Sequence, residues 1–135
     1  MNIHLPASPS RMGTFSLALA AVSVVAHAQP LTVGEPISFE LEVLPVLRGG
    51  CVECHQPDGE GYETSGLDLR DYEGLMRGTK YGPMVVPGDF VTSNLMVLLD
   101  GRSDPSIRMP FHRGRLRQAY INIIRHWIRE GAMNN

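Results

Sequence analysis

The clearest periodicity in the chain lies near its end. Leu116, Ala119, Tyr120, Ile123, Ile124, Trp127 and Ile128 recur at steps of three and four, one apolar face of a helix that Gly131 should end. Arg117, Arg125 and Arg129 fall off that face, and Arg129 suits the negative end of the helix dipole. A second face is formed by Phe39, Val43, Leu44 and Leu47. It predicts a helix from Ser38 to Leu47, capped by Ser38, favoured by Glu40 and Glu42 in its first turns, and kinked or ended by Pro45. Gly49 and Gly50 then turn the chain. Residues 56–66 are polar and glycine-rich and read as a loop. Leu67 and Leu69 suggest a short extended piece before a helix over Tyr72–Arg77, with Gly78 as its C-cap. Met84, Val85 and Val86 form a strand-like apolar segment between two Gly/Pro turns. A further helix is expected over Ser93–Leu99, and Gly101–Met109 reads as a loop. The expected class is all-α: about four short helices and no repeat.

The N-terminus carries a different pattern. Arg11 closes a polar, mildly basic start, and Phe15–Ala26 is almost wholly apolar or small. Ala26-His27-Ala28 then matches an A-x-A cleavage site, leaving Gln29 as a new N-terminus. The apolar run is too short for a span of roughly 20 residues, so it reads as a signal peptide over 1–28 rather than an anchor. A lead over 29–36 and one small domain over 37–135 follow, with no membrane span after cleavage. Periplasmic export is the expectation.

Charge adds a contrast between the two ends of the domain. Net charge is −2 for the whole chain and falls to −3 without Arg11. From Gly101 to Asn135 there are seven arginines and no lysine, against Asp104 and Glu130. These arginines are interspersed with Ile, Leu, Trp and Tyr at helical spacing, which argues against a nucleic-acid arm. They form either a docking face for an acidic redox partner or a solvated helix face.

The candidate chemistry lies in Cys51-Val52-Glu53-Cys54-His55. C-x-x-C-H is the attachment signature of a c-type haem: two thiols three positions apart reach the two vinyl groups, and the next histidine lies under the iron. The chain holds only these two cysteines. A zinc site would want four ligands, but His112 and His126 are too far apart for a short pair, and His4 and His27 lie in the segment expected to be removed. A dithiol redox site would follow a strand, whereas a helix precedes Cys51. Haem attachment occurs outside the bacterial cytoplasm, so export and motif account for each other.

A haem that carries electrons needs a second axial ligand. Met109 precedes Pro110, which biases it to extended geometry, and lies far in sequence from His55. It is the preferred distal ligand, with His112 and Met84 as alternatives. Met76 and Met96 sit beside leucines in expected helices and read as core.

With these elements in place, the chain resembles a class I mono-haem cytochrome c and is similar to the planctomycete-type cytochrome c domain. The resemblance runs from Leu44-Pro45-Val46-Leu47 through Ser65-Gly66-Leu67-Asp68-Leu69, Gly78, Val86-Pro87-Gly88-Asp89 and Met109-Pro110 to Trp127-Ile128-Arg129-Glu130-Gly131-Ala132. It covers about residues 37–132. It implies a helical fold around one covalent haem, Cys51 and Cys54 as thioether sites, and His55 and Met109 as iron ligands. The methionine-proline pair departs from the usual pattern, being followed here by Phe111-His112-Arg113. The expectation is a one-electron carrier that is not itself an enzyme. The competing expectations are a haem sensor or gas- or peroxide-binding module, and a dedicated haem subunit of a larger oxidoreductase.

Overall fold

The computed structural model describes Met1 and residues 34–135; the rest of the expected signal segment and most of the lead lie outside the described residues. Residues 34–135 belong to one compact unit. A π-helical turn, Phe39–Val43, runs directly into α1 (Leu44–Arg48). It is followed by α2 (Glu60–Ser65), α3 (Tyr72–Arg77), α4 (Asn94–Leu99), a 3-10 turn (Pro105–Ile107) and α5 (Gln118–Arg129). Among the described residues there is no strand, only an isolated bridge between Thr79 and Gly82. The all-α expectation holds. No helix among these residues is long and apolar enough to cross a membrane.

The first helix begins where expected. The Ser38 hydroxyl accepts the Leu41 N–H at 3.2 Å, and the Glu42 carboxylate reaches back to the Ser38 N–H at 2.9 Å, satisfying donors that a helix start leaves open. Pro45 does not end it. The helical path continues through the proline, and the wide π turn just before it marks the local distortion that a proline inside a helix imposes.

The last helix packs on this first one and on α4. Ile121, Ile124, Trp127 and Ile128 are buried, together with Phe39, Val43, Leu44 and Leu47. The buried face is turned from the one read from spacing: Ala119 and Tyr120, assigned to it, are exposed, Leu116 precedes the helix, and Ile121, not assigned to it, is buried. Three aromatic rings meet at the crossing: Phe39 lies 5.3 Å from both Tyr72 and Trp127, between centroids. The chain after α5 returns over this cluster. The Trp127 indole N–H donates to the Met133 carbonyl at 2.8 Å, the Tyr72 hydroxyl to the Ala132 carbonyl at 2.9 Å. Asn135 then caps the first helix, accepting the Phe39 N–H on Oδ1 and the Glu40 N–H on its carbonyl.

Two expectations need correction. Residues 56–66 are not all loop, since Glu60–Ser65 is helical. None of its residues is buried, so it carries no apolar periodicity to detect. It is held instead by its ends: Gly66 closes it at φ +76°, and the Thr64 and Ser65 hydroxyls bond back to the Glu60 and Gly61 carbonyls. Met84–Val86 is not a strand. Met84 and Val85 are buried singly in the core, and the Val86 N–H is taken by the Ser93 hydroxyl at 2.9 Å instead of a ladder partner.

Candidate functional site

The Cys51–His55 motif continues the winding of α1. The Leu47 carbonyl accepts the N–H groups of both Cys51 (2.8 Å) and Val52 (3.1 Å), and the Cys51 carbonyl accepts those of Cys54 (3.1 Å) and His55 (2.9 Å). One helical turn therefore carries both thiols and the imidazole. Gly49 and Gly50 have negative or unremarkable φ, so no left-handed turn is needed. Both glycines line an apolar groove of about 250 Å³, together with Pro45, Val46, Leu116 and Tyr120. It lies directly before Cys51.

The imidazole is held from below. The His55 carbonyl accepts the Leu69 N–H at 2.8 Å, and the Cys54 carbonyl accepts the Tyr62 N–H at 2.9 Å, tying the motif to α2 and to the Leu67–Leu69 segment. Gly61 of α2 lies so close that a Cβ there would sit 2.8 Å from His55 Cε1 and 3.0 Å from Nδ1. His55 is 9% exposed. Burial pushes its pKa below the usual range, and the Leu67 backbone carbonyl acts in the opposite sense without completing a hydrogen bond. Its Nδ1 is buried with no partner, an unusual state for a polar atom. A neutral, desolvated imidazole is the form a metal binds.

The two thiols are free. Cys54 is exposed and Cys51 half-buried; burial raises the Cys51 pKa, against the attraction of the nearby Arg113 guanidinium. Among the described residues no group of three His, Cys, Asp or Glu gathers as a metal cage, so a four-ligand zinc arrangement is not assembled.

Met109 is half-buried at the edge of the core. Its loop is brought to the motif by Arg113, whose Nη2 lies 2.6 Å from Glu53 Oε2. His112 is exposed, at φ +52°, with its ring 4.0 Å from that of Phe111. Met84 is 5% exposed and packed in the core. From Gly101 to Tyr120 no residue is buried, although the stretch includes Ile107, Met109, Phe111, Leu116 and Tyr120. Incompletely covered apolar side chains, next to an apolar groove, two thiols and a buried imidazole with an unpartnered nitrogen, form a donor set and a surface that fit a porphyrin.

Residues 51–110 match the family described as Planctomycete cytochrome C. The match supports a cytochrome c-like domain over these residues. The match begins on Cys51 and ends on Pro110, so it encloses both thiols, His55 and Met109. It is narrower than the span of about 37–132 read from sequence, which added the first and last helices. Neither curated proteins nor solved structures yielded a match. A cytochrome c-like domain implies a haem cofactor and points to a haem-based electron-transfer role. The parts of the site that sequence reasoning missed are Gly61, the Leu67 carbonyl and the Glu53–Arg113 pair. The Gly59-Glu60-Gly61 run was visible, but its closeness to His55 depends on α2.

Proposed function

We propose that this protein is a periplasmic one-electron carrier, not an enzyme in its own right, with one c-type haem and His/Met axial ligation. When bound, haem supplies a ferric/ferrous couple that moves one electron without breaking a substrate bond. The observation that carries the reading is the single turn Cys51–His55, with its imidazole buried and its Nδ1 unpartnered. Cys51 and Cys54 would hold the porphyrin through thioethers, His55 the iron on one side and Met109 on the other. Met109 is favoured over Met84, which is already packed in the core, and over His112, whose side chain is exposed. The apolar residues from Ile107 to Tyr120 would exclude water from the metal. A thioether favours ferrous iron, so this ligation would raise the reduction potential above that of a bis-His haem.

Docking of an acidic partner on the C-terminal arginines belongs to the same proposal. Arg108, Arg115, Arg117 and Arg129 have no carboxylate within ion-pair distance among the described residues, so their charge is available to steer association. The deciding experiment is the absorption spectrum, oxidised and reduced, of protein made with haem-attachment machinery, beside Met109→Ala. Sharp low-spin bands, with a sulfur-to-iron charge-transfer band that the variant loses, are expected. A high-spin wild-type spectrum that changes rapidly with carbon monoxide would replace the carrier with a ligand-binding module. Absence of covalent haem would overturn both.

A further inference from the structure

We infer that the Glu53–Arg113 ion pair is a latch that positions the distal-ligand turn against the haem-attachment segment. The inference deepens the reading above and rests on it. Glu53 lies between the two cysteines, and Arg113 lies 60 positions further along. The Arg113 N–H donates to the Pro110 carbonyl at 3.4 Å, and Pro110 directly follows Met109. A bonded path therefore runs from the segment that would hold the porphyrin to the turn that would hold its second axial ligand.

The rest of the loop is fastened elsewhere. Arg102 reaches the Val91 carbonyl at 2.8 Å and Asp100 at 3.6 Å, and Arg115 reaches the Asp100 carbonyl at 3.2 Å. Among the described residues, no other hydrogen bond or ion pair joins Gly101–Arg117 to Cys51–His55. No side chain between Gly101 and Tyr120 is fully buried and only Met109 and Leu116 touch the core, so this loop should open at lower free energy than the packed helices. One charge-assisted contact then has leverage that it would lack in a packed core. Both partners are exposed, Arg113 by 49% and Glu53 by 73%, so the latch is weak in absolute terms and sensitive to salt.

The test uses the ferric holoprotein and the rate of imidazole binding, which requires Met109 to leave the iron. Glu53→Gln and Arg113→Gln should each bind roughly 2- to 5-fold faster at low ionic strength, the size of an exposed ion pair. The double variant should be no faster than either single one. The exchanged pair, Glu53→Arg with Arg113→Glu, should return towards the wild-type rate, as should Arg113→Lys. High salt should erase the differences. Single variants at the wild-type rate, or a double variant showing the product of two independent effects, would overturn the latch. Amide hydrogen exchange at His112 and Arg113, read on the same samples, does not depend on the iron ligand. Faster exchange in the single variants supports the latch even where the wild type lacks a sulfur-to-iron band; unchanged exchange overturns it.

Discussion

A methyl group at Gly61 would press on the imidazole of His55. An ideal Cβ there lies 2.8 Å from Cε1, 3.0 Å from Nδ1 and 3.0 Å from the Cys54 carbonyl oxygen. Carbon atoms rest at about 3.5–4.0 Å, so the ring contacts are too short by roughly half an ångström or more. The Cys54 carbonyl cannot easily retreat, because it accepts the Tyr62 N–H at 2.9 Å. The ring or the start of α2 must therefore shift. Replacing a helical glycine by alanine normally gains about 0.5–1 kcal/mol, while overpacking of this kind costs about 1–3 kcal/mol. The net is a loss of about 1 kcal/mol, or roughly 4–8 °C in Tm for a domain of this size. Gly66→Ala is the control: its Cβ would meet nothing closer than 3.6 Å, but φ is +76°, so it carries only the left-handed strain of about 1–2 kcal/mol. Thermal unfolding and the absorption spectrum of both holoproteins separate the two. Both variants should lose stability, and only Gly61→Ala should change the haem bands. A Gly61→Ala protein with wild-type Tm and spectrum would refute the close packing of α2 on the proximal imidazole.

Two further outcomes are expected. Trp127→Phe keeps an aromatic ring in the Phe39–Tyr72 cluster but leaves the Met133 carbonyl without its donor, costing about 1–3 kcal/mol in urea unfolding, whereas Trp127→Ala should cost about 3–5 kcal/mol; a Trp127→Phe protein as stable as wild type would show that the hydrogen bond contributes nothing. Asp68 is 5% exposed, and hydrogen bonds from Arg70 hold its carboxyl below the usual carboxylate range. The folded protein binds that proton less tightly than the unfolded chain, so the stability this group contributes is complete above the ordinary carboxylate pKa of about 4 and is lost as pH falls through the depressed folded value. Asp68→Asn should thus unfold more easily than wild type at neutral pH, with the gap closing in acid; a gap independent of pH would remove the carboxylate from the account.

The helices with a buried face were legible from spacing. Ile124, Trp127 and Ile128 in α5, and Phe39, Val43, Leu44 and Leu47 at the first helix, are buried as their periodicity marks, while Ile121, outside the face read from spacing, is buried with them. Helix α2 was not, because it buries none of its side chains and is specified by hydroxyl back-bonds and a left-handed glycine. The apolar run Met84–Val86 invited a strand reading for the opposite reason: it is buried, but its backbone bonds go to the Ser93 hydroxyl and to Leu95 instead of a neighbouring strand. Periodicity reports which side chains are covered, and says nothing of where backbone donors and acceptors find partners.

The candidate chemistry was legible in the sequence by itself, because two thiols and an imidazole within five consecutive residues are brought together by one turn of the chain. The cap at Ser38 and the apolar face of α5 are local in the same sense. Tertiary structure decided what surrounds that turn: Gly61 behind the imidazole, Arg113 across to Glu53, and Asn135 over the start of the first helix. The last two join residues 60 and 96 positions apart. Contacts of that kind leave no local period or spacing to read, because they join segments that only the packed fold brings together.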